Sequence, residues 1–308
     1  MVEKKYPSYL SLFESGKLKE KIEIFINKLE KCEICPHKCK KNRLNNEIGI
    51  CRTGRYAVVS SFNLHFGEEP PISGFSGSGT IFFTNCNLSC IFCQNWSISQ
   101  EGEGFQVNKN QLKEIMLKLQ ELGAHNLNLV TPTHIVPQFL EALYEAIKDG
   151  FSLPIVYNSS GYDLVETLKL LDGIVDIYMP DAKYGDNQWA IKFSSAKNYV
   201  EISQEALKEM YRQVGDFEVD KRGVAKKGVL VRHLILPERK SSSFKVLDFL
   251  KENLEGAFIA LLSQYRPCYN AFKYPEINRR LTKEEYEEVA NYAKKLKFRN
   301  LYLQYNYF

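Results

Sequence analysis

The chain places three cysteines directly after a short apolar run, and this stretch decides how the rest is interpreted. Residues 79–96 read GTIFFTNCNLSCIFCQNW. The run that begins at Thr80 consists of β-branched and aromatic residues, which predicts a buried strand. Cys86, Cys90 and Cys93 follow it with the spacing C-x3-C-x2-C. Barrel enzymes place their catalytic residues in loops at the carboxyl ends of parallel strands, so strand and loop together predict an active site.

Beyond this stretch, strand-like runs alternate with segments of helical periodicity. Apolar strands separated by amphipathic helices favour right-handed crossovers and a parallel sheet. We therefore predict an α/β fold, a full or partial (β/α) barrel with parallel strands, with a doubly wound sheet as the alternative. The predicted strands are 80–84, 127–130, 154–157, 175–179, 228–236, 258–262 and 300–304, and the predicted helices are 111–122, 136–148, 163–171, 242–253 and 282–296.

The composition is that of a folded enzyme and gives little sign of a charged partner. Of its 308 residues, 44% are hydrophobic and 13% aromatic, enough to fill a large core. The formal net charge is only +4, from 41 basic and 37 acidic residues, which does not indicate nucleic acid as a partner. The sequence shows no signal-peptide pattern and no apolar run of membrane-spanning length. We therefore expect a cytoplasmic protein without a membrane partner.

The three cysteines after the first strand favour an iron–sulfur cluster with one open position. Thiolates bind both iron–sulfur clusters and zinc, but three ligands leave one iron of a [4Fe–4S] cluster without a protein ligand. Seven of the eight cysteines lie between residues 32 and 93. Their short spacings favour metal ligation in a reducing compartment over a disulfide framework. A structural zinc site that lacks a histidine is the alternative for these three thiols.

The spacing, with an aromatic residue directly before the third cysteine, resembles the signature of the radical S-adenosylmethionine (SAM) superfamily. The resemblance covers roughly Ser76 to the C-terminus. It implies that Cys86, Cys90 and Cys93 hold a [4Fe–4S] cluster and that Phe92 lies against the adenine of SAM. It also implies reductive cleavage of SAM to a 5′-deoxyadenosyl radical, which abstracts hydrogen from the substrate.

The sequence departs from this superfamily after the second predicted strand. Family members usually carry a Gly-Gly-Glu-Pro-like stretch there, whereas residues 131–134 read TPTH. The backbone carbonyls from Thr131 to Thr133 are the candidates to bind the SAM ammonium group. We interpret His134 as a structural residue at the start of the next helix.

The ends of the later strands resemble the pyruvate formate-lyase activating enzyme branch. Asn158 and Ser159 stand where that branch has a short polar loop beneath SAM. Asp181 and Lys183 match a D-x-K element whose lysine pairs with the SAM carboxylate, a charge-assisted contact. Arg232 falls where the branch places a SAM-contacting arginine. The resemblance implies that these five residues bind the cofactor, although an Asp-Lys pair at a strand end would equally form a surface ion pair.

A second group of cysteines precedes the first predicted barrel strand, at Cys32, Cys35, Cys39 and Cys51. Four thiolates in one compact segment suit a closed metal site, either structural zinc or a second iron–sulfur cluster, and the spacing does not choose between them. His37 lies inside the set and is interpreted as a spectator. Similar N-terminal segments accompany a subgroup of the activating-enzyme-like proteins.

The two cysteine groups predict two units of unequal size. We expect a small metal-organised N-terminal unit over residues 1–75 and a radical SAM barrel domain over 76–308. Near their junction, Glu68 and Glu69 are interpreted as solvated linker charges, with an approach of their carboxylates to the barrel mouth as the alternative. The polar stretch 184–227 interrupts the alternation and is interpreted as a lid or a substrate-facing insertion.

The leading hypothesis for function is an activating enzyme that abstracts hydrogen from a glycyl residue of a partner protein. Modification of a peptide or a small metabolite is the enzymatic alternative, and either reaction needs an electron donor such as flavodoxin or ferredoxin. Activators with additional clusters commonly carry the extra cysteines after the SAM motif, so the N-terminal position here favours the activator less. An iron–sulfur electron carrier or adaptor is the alternative of another class, and the cofactor contacts implied for Lys183 and Arg232 argue against it.

Overall fold

The computed structural model describes residues 5–305, which contain a ten-stranded sheet. In chain order the strands are β1 (Ala57–His65), β2 (Ser78–Phe83), β3 (Phe105–Val107), β4 (Leu127–Val130), β5 (Ile155–Ser159), β6 (Ile177–Pro180), β7 (Glu218–Val219), β8 (Ala225–Leu234), β9 (Phe258–Leu262) and β10 (Asn300–Leu303). Strands β2, β4, β5, β6, β8, β9 and β10 lie side by side in this order and run parallel.

The sheet is open, with β10 at one edge and β3 at the other, so the parallel strands form a partial (β/α) barrel. This confirms the predicted fold class. Strands β6 and β8 pair at Ile177 and Tyr178 and meet again through an isolated bridge between Asp181 and Arg232. That bridge sets these two charged residues side by side at the carboxyl ends of their strands.

Helices cover the outer face of the sheet and connect its strands. The described helices are α1 (Tyr9–Glu14), α2 (Lys17–Asn27), α3 (Pro70–Ser73), α4 (Trp96–Ser99), α5 (Lys109–Glu121), α6 (Val136–Lys148), α7 (Val165–Leu171), α8 (Asn187–Ser194), α9 (Tyr199–Val214), α10 (Ser243–Asn253) and α11 (Lys283–Lys295). Helices α5 and α11 each begin with a capping box. In this motif the side chain of the residue before the helix accepts a hydrogen bond from the backbone amide three residues later, and the side chain of that later residue accepts one from the backbone amide of the first.

The two faces of the parallel strands bury different clusters. Alternate residues such as Leu129 and Val231 pack outward against the helices in the main core. Residues of the opposite parity, such as Val156 and Leu230, pack inside the barrel together with Ile72 of α3. Successive side chains of a strand point to opposite faces of the sheet, so the same strands supply both the outer core and the barrel interior. The connection between β1 and β2 therefore enters the barrel interior and closes it with Ile72.

Short antiparallel strands extend the parallel sheet. Strand β1 pairs with β2 on one side and with β3 on the other, and β7 pairs with β8. The predicted strands do not include β3 or β7, which have three and two residues and are largely exposed. Strand β1 precedes the predicted boundary at residues 75 and 76 and β2 follows it. The division into two units stays a prediction.

The N-terminal region differs from its predicted form. Its periodicity predicts one helix over residues 1–31, whereas the structure has two, α1 and α2, separated at Ser15 and Gly16. Gly16 adopts a φ of 75°, a left-handed conformation that glycine tolerates without steric cost and that ends the first helix. Residues 1–4 lie outside the described part.

The longest described helix, α9, has 16 residues. Within residues 5–305, none of the helices combines the length and the apolar character needed to cross a bilayer.

Candidate active site

A cavity of about 150 Å³ lies at the carboxyl ends of the central parallel strands. The loop after β2, residues 86–93 and here called the cysteine loop, forms one wall, and the ends of β4, β5, β6 and β8 form the others. The lining residues are Phe83, Cys86, Leu88, Cys90, Cys93, Asn95, Ile98, Ser99, Val130, Thr131, Asn158, Ser159, Ser160, Asp181, Lys183 and Arg232. The structure thus brings together all three predicted cluster ligands and five of the six predicted SAM contacts.

Each thiol of the cysteine loop takes part in a hydrogen bond. The backbone amide of Leu88 donates to Cys86 Sγ at 3.3 Å, and Ser194 Oγ donates to Cys90 Sγ at 3.0 Å. Ser99 Oγ lies 3.1 Å from Cys93 Sγ. Ser194 is the last residue of α8, and its backbone carbonyl also accepts a hydrogen bond from the backbone amide of Ser89 in the cysteine loop. Part of the stretch predicted as a lid therefore supports the cysteine loop.

Of the thiols in this loop, Cys90 is buried and Cys86 and Cys93 are half-buried, and a cation stands beside them. Burial raises the pKa of Cys90 to about 11, with Lys183 acting in the opposite direction. Burial also raises the pKa of Cys86, and the neighbouring thiols Cys90 and Cys93 add to this effect. Thiolates are the ligands of iron–sulfur clusters, and all eight cysteines of the chain are free. Three free thiols facing one cavity with a compensating ammonium group fit a cluster with one open iron.

The polar ends of β5, β6 and β8 form a network centred on Arg232. Its Nε donates to Asp181 Oδ1 at 3.0 Å, and one Nη donates to Asn158 Oδ1 at 2.6 Å. Lys183 Nζ donates to Asp181 Oδ2 at 2.6 Å. Burial alone would raise the pKa of Asp181, but Arg232 and Lys183 outweigh it and hold that pKa below its usual value. The Asp-Lys pair lies in the cavity wall, so it is more than a surface ion pair.

Two carboxylates that the sequence did not assign to the site stand behind this network. Glu68 accepts from Arg232 Nη1 at 3.3 Å and from Asn128 Nδ2 at 2.8 Å. Glu69 is only 6% exposed, and its Oε2 has no hydrogen-bond partner in residues 5–305. Burial raises the pKa of Glu69 to about 7, although Arg232 opposes the shift. The prediction of solvated linker charges is wrong, because the connection before α3 turns into the barrel.

The loop after β5 is fixed by a buried carboxylate that sequence reasoning missed. Asp163 accepts hydrogen bonds from Thr133 Oγ1 at 2.7 Å, from Tyr157 at 3.0 Å and from Ser159 Oγ at 2.6 Å. Gly161 has a φ of 72°, and a Cβ there would clash with the carbonyl oxygen of Asp181. This close approach of two strand ends accounts for the glycine that ends the polar loop.

The loop after β4 combines a strained backbone with a structural histidine. Thr131 lines the cavity with a φ of 62°, a conformation that β-branched residues rarely adopt. His134 is buried, and its Nε2 donates to the carbonyl oxygen of Thr84 at 3.0 Å. Burial lowers the pKa of His134 to about 3, so the ring is neutral. This geometry is the structural role predicted for His134.

Phe92, the aromatic residue of the cysteine loop predicted to contact SAM, does not line the cavity. Its side chain is buried, with its ring centroid 5.7 Å from that of Tyr265. Its contact with adenine stays a prediction.

The second cysteine group forms a compact segment, residues 32–51, here called the four-cysteine segment. Cys32, Cys35 and Cys51 are buried and Cys39 is half-buried. The pKa of Cys35 is raised to about 12, mainly by burial and in smaller part by the three other thiols. Gly49 lies so close to Cys39 that a Cβ at this position would clash with Cys39 Sγ. Within residues 5–305, neither cysteine group already has the closed geometry of a formed metal site.

Comparisons with known proteins agree with this geometry. Residues 80–219 match the family described as the radical SAM superfamily. The chain is 36% identical over 285 residues to the uncharacterized protein MJ0674 of Methanocaldococcus jannaschii, which covers 89% of this chain and 78% of that protein.

Solved structures with low sequence identity were also similar. The X-ray structure of the FeFe-hydrogenase maturase HydG from Carboxydothermus hydrogenoformans aligns with a TM-score of 0.51 and 12% identity, over 97% of this chain and 68% of that chain. Native anSMEcpe with bound AdoMet aligns with a TM-score of 0.48 and 11% identity, over 72% of this chain and 61% of that chain. The likeness to HydG shows a shared fold.

Proposed function

Because the chain belongs to the radical SAM superfamily, we propose that it cleaves SAM reductively in the cavity at the sheet edge. The family implies a [4Fe–4S] cluster and SAM as cofactors. One observation carries the proposal: the thiols of Cys86, Cys90 and Cys93 face the same cavity as the cations Lys183 and Arg232. An electron carrier or adaptor would need the thiols but would not need these cations opposite them.

The cluster, when bound, supplies the open iron position and the electron that split SAM into methionine and a 5′-deoxyadenosyl radical. The residues around it bind and orient SAM. Lys183 and Arg232 offer charge-assisted hydrogen bonds to the SAM carboxylate, while Asp181 holds both cations in place. The carbonyls of the loop after β4, from Thr131 onward, are the candidates for the SAM ammonium group. Asn158 and Ser159 complete the polar floor.

The substrate we propose is a glycyl residue of a partner protein. Support comes from the resemblance of Asn158, Ser159, Asp181, Lys183 and Arg232 to the pyruvate formate-lyase activating enzyme branch. A peptide or a small metabolite is the second candidate. The electron would come from a carrier such as flavodoxin or ferredoxin, and the reducing cytoplasm is the compartment that suits free thiols and reduced clusters.

We further propose that the four-cysteine segment holds a metal. The three other thiols of the segment help to raise the pKa of Cys35, and a bound cation would stabilise such a thiol as a thiolate. Zinc and an iron–sulfur cluster both fit this donor set.

The test is 5′-deoxyadenosine production by anaerobically reconstituted, dithionite-reduced protein supplied with SAM. The wild-type protein should release 5′-deoxyadenosine, and Cys90→Ala should release none. Cys268→Ala is the matched control, since this half-buried cysteine belongs to neither group, and it should keep the wild-type rate. Full activity of Cys90→Ala, or no SAM cleavage by cluster-loaded wild-type protein with its substrate, would contradict the proposal.

A further inference from the structure

The four-cysteine segment contacts the cysteine loop through His37. His37 Nε2 donates to the carbonyl oxygen of Asn87 at 2.6 Å. Cys35 lies two residues before this histidine, and Cys86 directly precedes Asn87. Tyr162 packs against the junction, with its ring 5.5 Å from His37 and its carbonyl accepting from Asn87 Nδ2 at 2.7 Å. One hydrogen bond and three peptide units therefore connect a thiol of each group, and His37 is more than the predicted spectator.

A second route runs through Arg52. This residue directly follows Cys51, and one of its Nη atoms donates to the carbonyl oxygen of Ser99 at 2.5 Å. The hydroxyl of Ser99 in turn lies 3.1 Å from Cys93 Sγ. The two groups are thus connected at both ends of the cysteine loop.

The interior of the four-cysteine segment contains a buried cation without a carboxylate partner. Arg43 is 1% exposed and donates to the carbonyls of Gly54 at 3.1 Å and His134 at 2.8 Å. Its remaining contact is Cys32 Sγ at 3.7 Å, and in residues 5–305 it forms no ion pair with Asp or Glu. A buried guanidinium is costly unless an anion compensates it, and a thiolate of a metal-bound set is the anion within reach.

The outer face of the same segment mixes exposed apolar side chains with lysines. Residues 28–55 contain eight Lys and Arg against three Glu, a net charge of +5, while the whole chain carries only +4. Ile48 and Ile50 are 57% and 53% exposed. Surfaces that combine exposed apolar groups with a net charge are typical of sites that bind a partner of opposite charge. The exposed lysines are Lys31, Lys38, Lys40 and Lys41.

We propose that the four-cysteine segment is the electron-input site of the protein: it holds an iron–sulfur cluster and docks a small acidic one-electron carrier. This inference rests on the proposed SAM cleavage, which consumes one electron in each event. The two routes and the basic apolar face both fit electron transfer, whereas zinc has no redox chemistry in proteins. Of the two metals that fit the thiols, the surroundings therefore favour iron.

The electrons balance over three centres. The reduced carrier is oxidised by one electron, and the cluster of the four-cysteine segment accepts it. That electron passes to the cluster on Cys86, Cys90 and Cys93 and ends in the S–C5′ bond of SAM, which it breaks. The carrier then leaves oxidised.

The first experiment asks which metal is bound, without using SAM. The Cys86→Ala/Cys90→Ala/Cys93→Ala variant, reconstituted anaerobically, should retain iron and sulfide and give an electron paramagnetic resonance signal after reduction. Adding Cys35→Ala and Cys51→Ala should remove both. Zinc instead of iron, or no bound metal in the triple variant, would overturn the proposal and leave the proposed SAM cleavage untouched.

The second experiment measures reduction of the protein by an acidic [2Fe–2S] ferredoxin in stopped flow. Reversal of three charges on the proposed docking face, Lys38→Glu/Lys40→Glu/Lys41→Glu, should slow reduction by about tenfold or more, because steering by opposite charge is lost. The matched reversal of exposed lysines in the last turn of α11 and just after it, Lys294→Glu/Lys295→Glu/Lys297→Glu, should have little effect. Equal rates for the two variants would overturn the docking surface.

The third experiment separates failure of the relay from failure of the proposed function. In the Cys35→Ala variant, 5′-deoxyadenosine formation driven by ferredoxin should fall to a few per cent of the wild-type rate, whereas formation driven by dithionite should persist. If ferredoxin drives both proteins equally, the relay is wrong. If dithionite drives no cleavage even in the wild-type protein, the proposed function is wrong instead.

Discussion

The two cysteine groups are held in place in opposite ways. The four-cysteine segment is folded largely by its own backbone, since the amide of Cys32 donates to the carbonyl of Lys41 at 3.0 Å and Lys40 donates back to Cys32 at 2.9 Å. The cysteine loop is held by distant elements, because Phe193 and Ser194 of α8 accept from its amides. A group of four thiols folded by its own backbone suits a stable metal site, while a loop held from outside leaves one side open to a substrate. Both groups consist of thiols, and they differ in whether their supporting hydrogen bonds come from the same segment or from a distant helix.

The largest expected effect is a loss of stability on substitution of Arg43, which belongs to the four-cysteine segment but also contacts the barrel. Arg43→Met removes the guanidinium donor to the buried His134 carbonyl and one of two donors to the Gly54 carbonyl, and we expect the free energy of unfolding of the metal-free protein to fall by about 2–4 kcal/mol. Chemical denaturation measures the change. Lys41→Met, an exposed cation of the same segment, is the control and should stay within about 0.5 kcal/mol. Equal effects would mean that the segment does not depend on its buried cation.

The next largest effect concerns the open side of the cysteine loop. Lys183→Ala removes one charged contact to SAM, and the SAM dissociation constant should rise by roughly 10- to 100-fold, or about 1.5–3 kcal/mol. Equilibrium binding to the reconstituted protein measures it. Lys245→Ala, at an exposed lysine outside the cavity lining, should leave binding unchanged. Unchanged binding in Lys183→Ala would reject the assignment of this cation to SAM.

A smaller effect should appear in the pH dependence of stability. Burial raises the pKa of Glu69 to about 7 in the folded protein, against its ordinary value of 4.5. Between pH 4.5 and pH 7 the folded state therefore holds a proton on Glu69 that the unfolded state releases. Its stabilising contribution is present below pH 4.5 and is lost as the pH rises through 7. Glu69→Gln should remove up to about 2 kcal/mol of the fall in unfolding free energy between pH 5 and pH 7. Parallel pH profiles for variant and wild type would show that Glu69 is ionised throughout.

The smallest effect should come from the hydroxyl beside Cys90. Ser194→Ala removes a hydrogen bond to the thiolate, so the reduction potential of the cluster on the cysteine loop should shift to a lower value. Redox titration followed by electron paramagnetic resonance measures the shift. The neighbouring Ser195→Ala, at an exposed hydroxyl, should leave the potential unchanged. A potential that moves equally in both variants would indicate a general loosening of α8.

The strand ends show how much of this site the sequence could predict. Asn158, Asp181, Lys183 and Arg232 were identified because their motifs resemble those of a known branch of the superfamily, and the alternating pattern places them near one edge of the sheet. The parallel direction of the strands followed from the alternation of strands and helices. Both the motifs and the periodicity are local features, which a single sequence displays.

The carboxylates behind the site could not be predicted in this way. Glu68 meets Arg232 across 164 residues, and only the path of the connection into the barrel brings them together. Asp163 was interpreted as part of a helix pattern, but its three hydrogen bonds come from the loop after β4 and from strand β5. Contacts of this kind depend on tertiary structure, and no local pattern marks them.

The support of the cysteine loop by α8 also bears on how the protein is made. Ser194, which donates to Cys90, lies 104 residues further along the chain. On a ribosome the three cysteines therefore emerge well before the helix that fixes their loop has been synthesised. Cofactor loading at this loop must follow translation of most of the barrel, and a protein truncated before α8 would expose three unsupported thiols to oxidation.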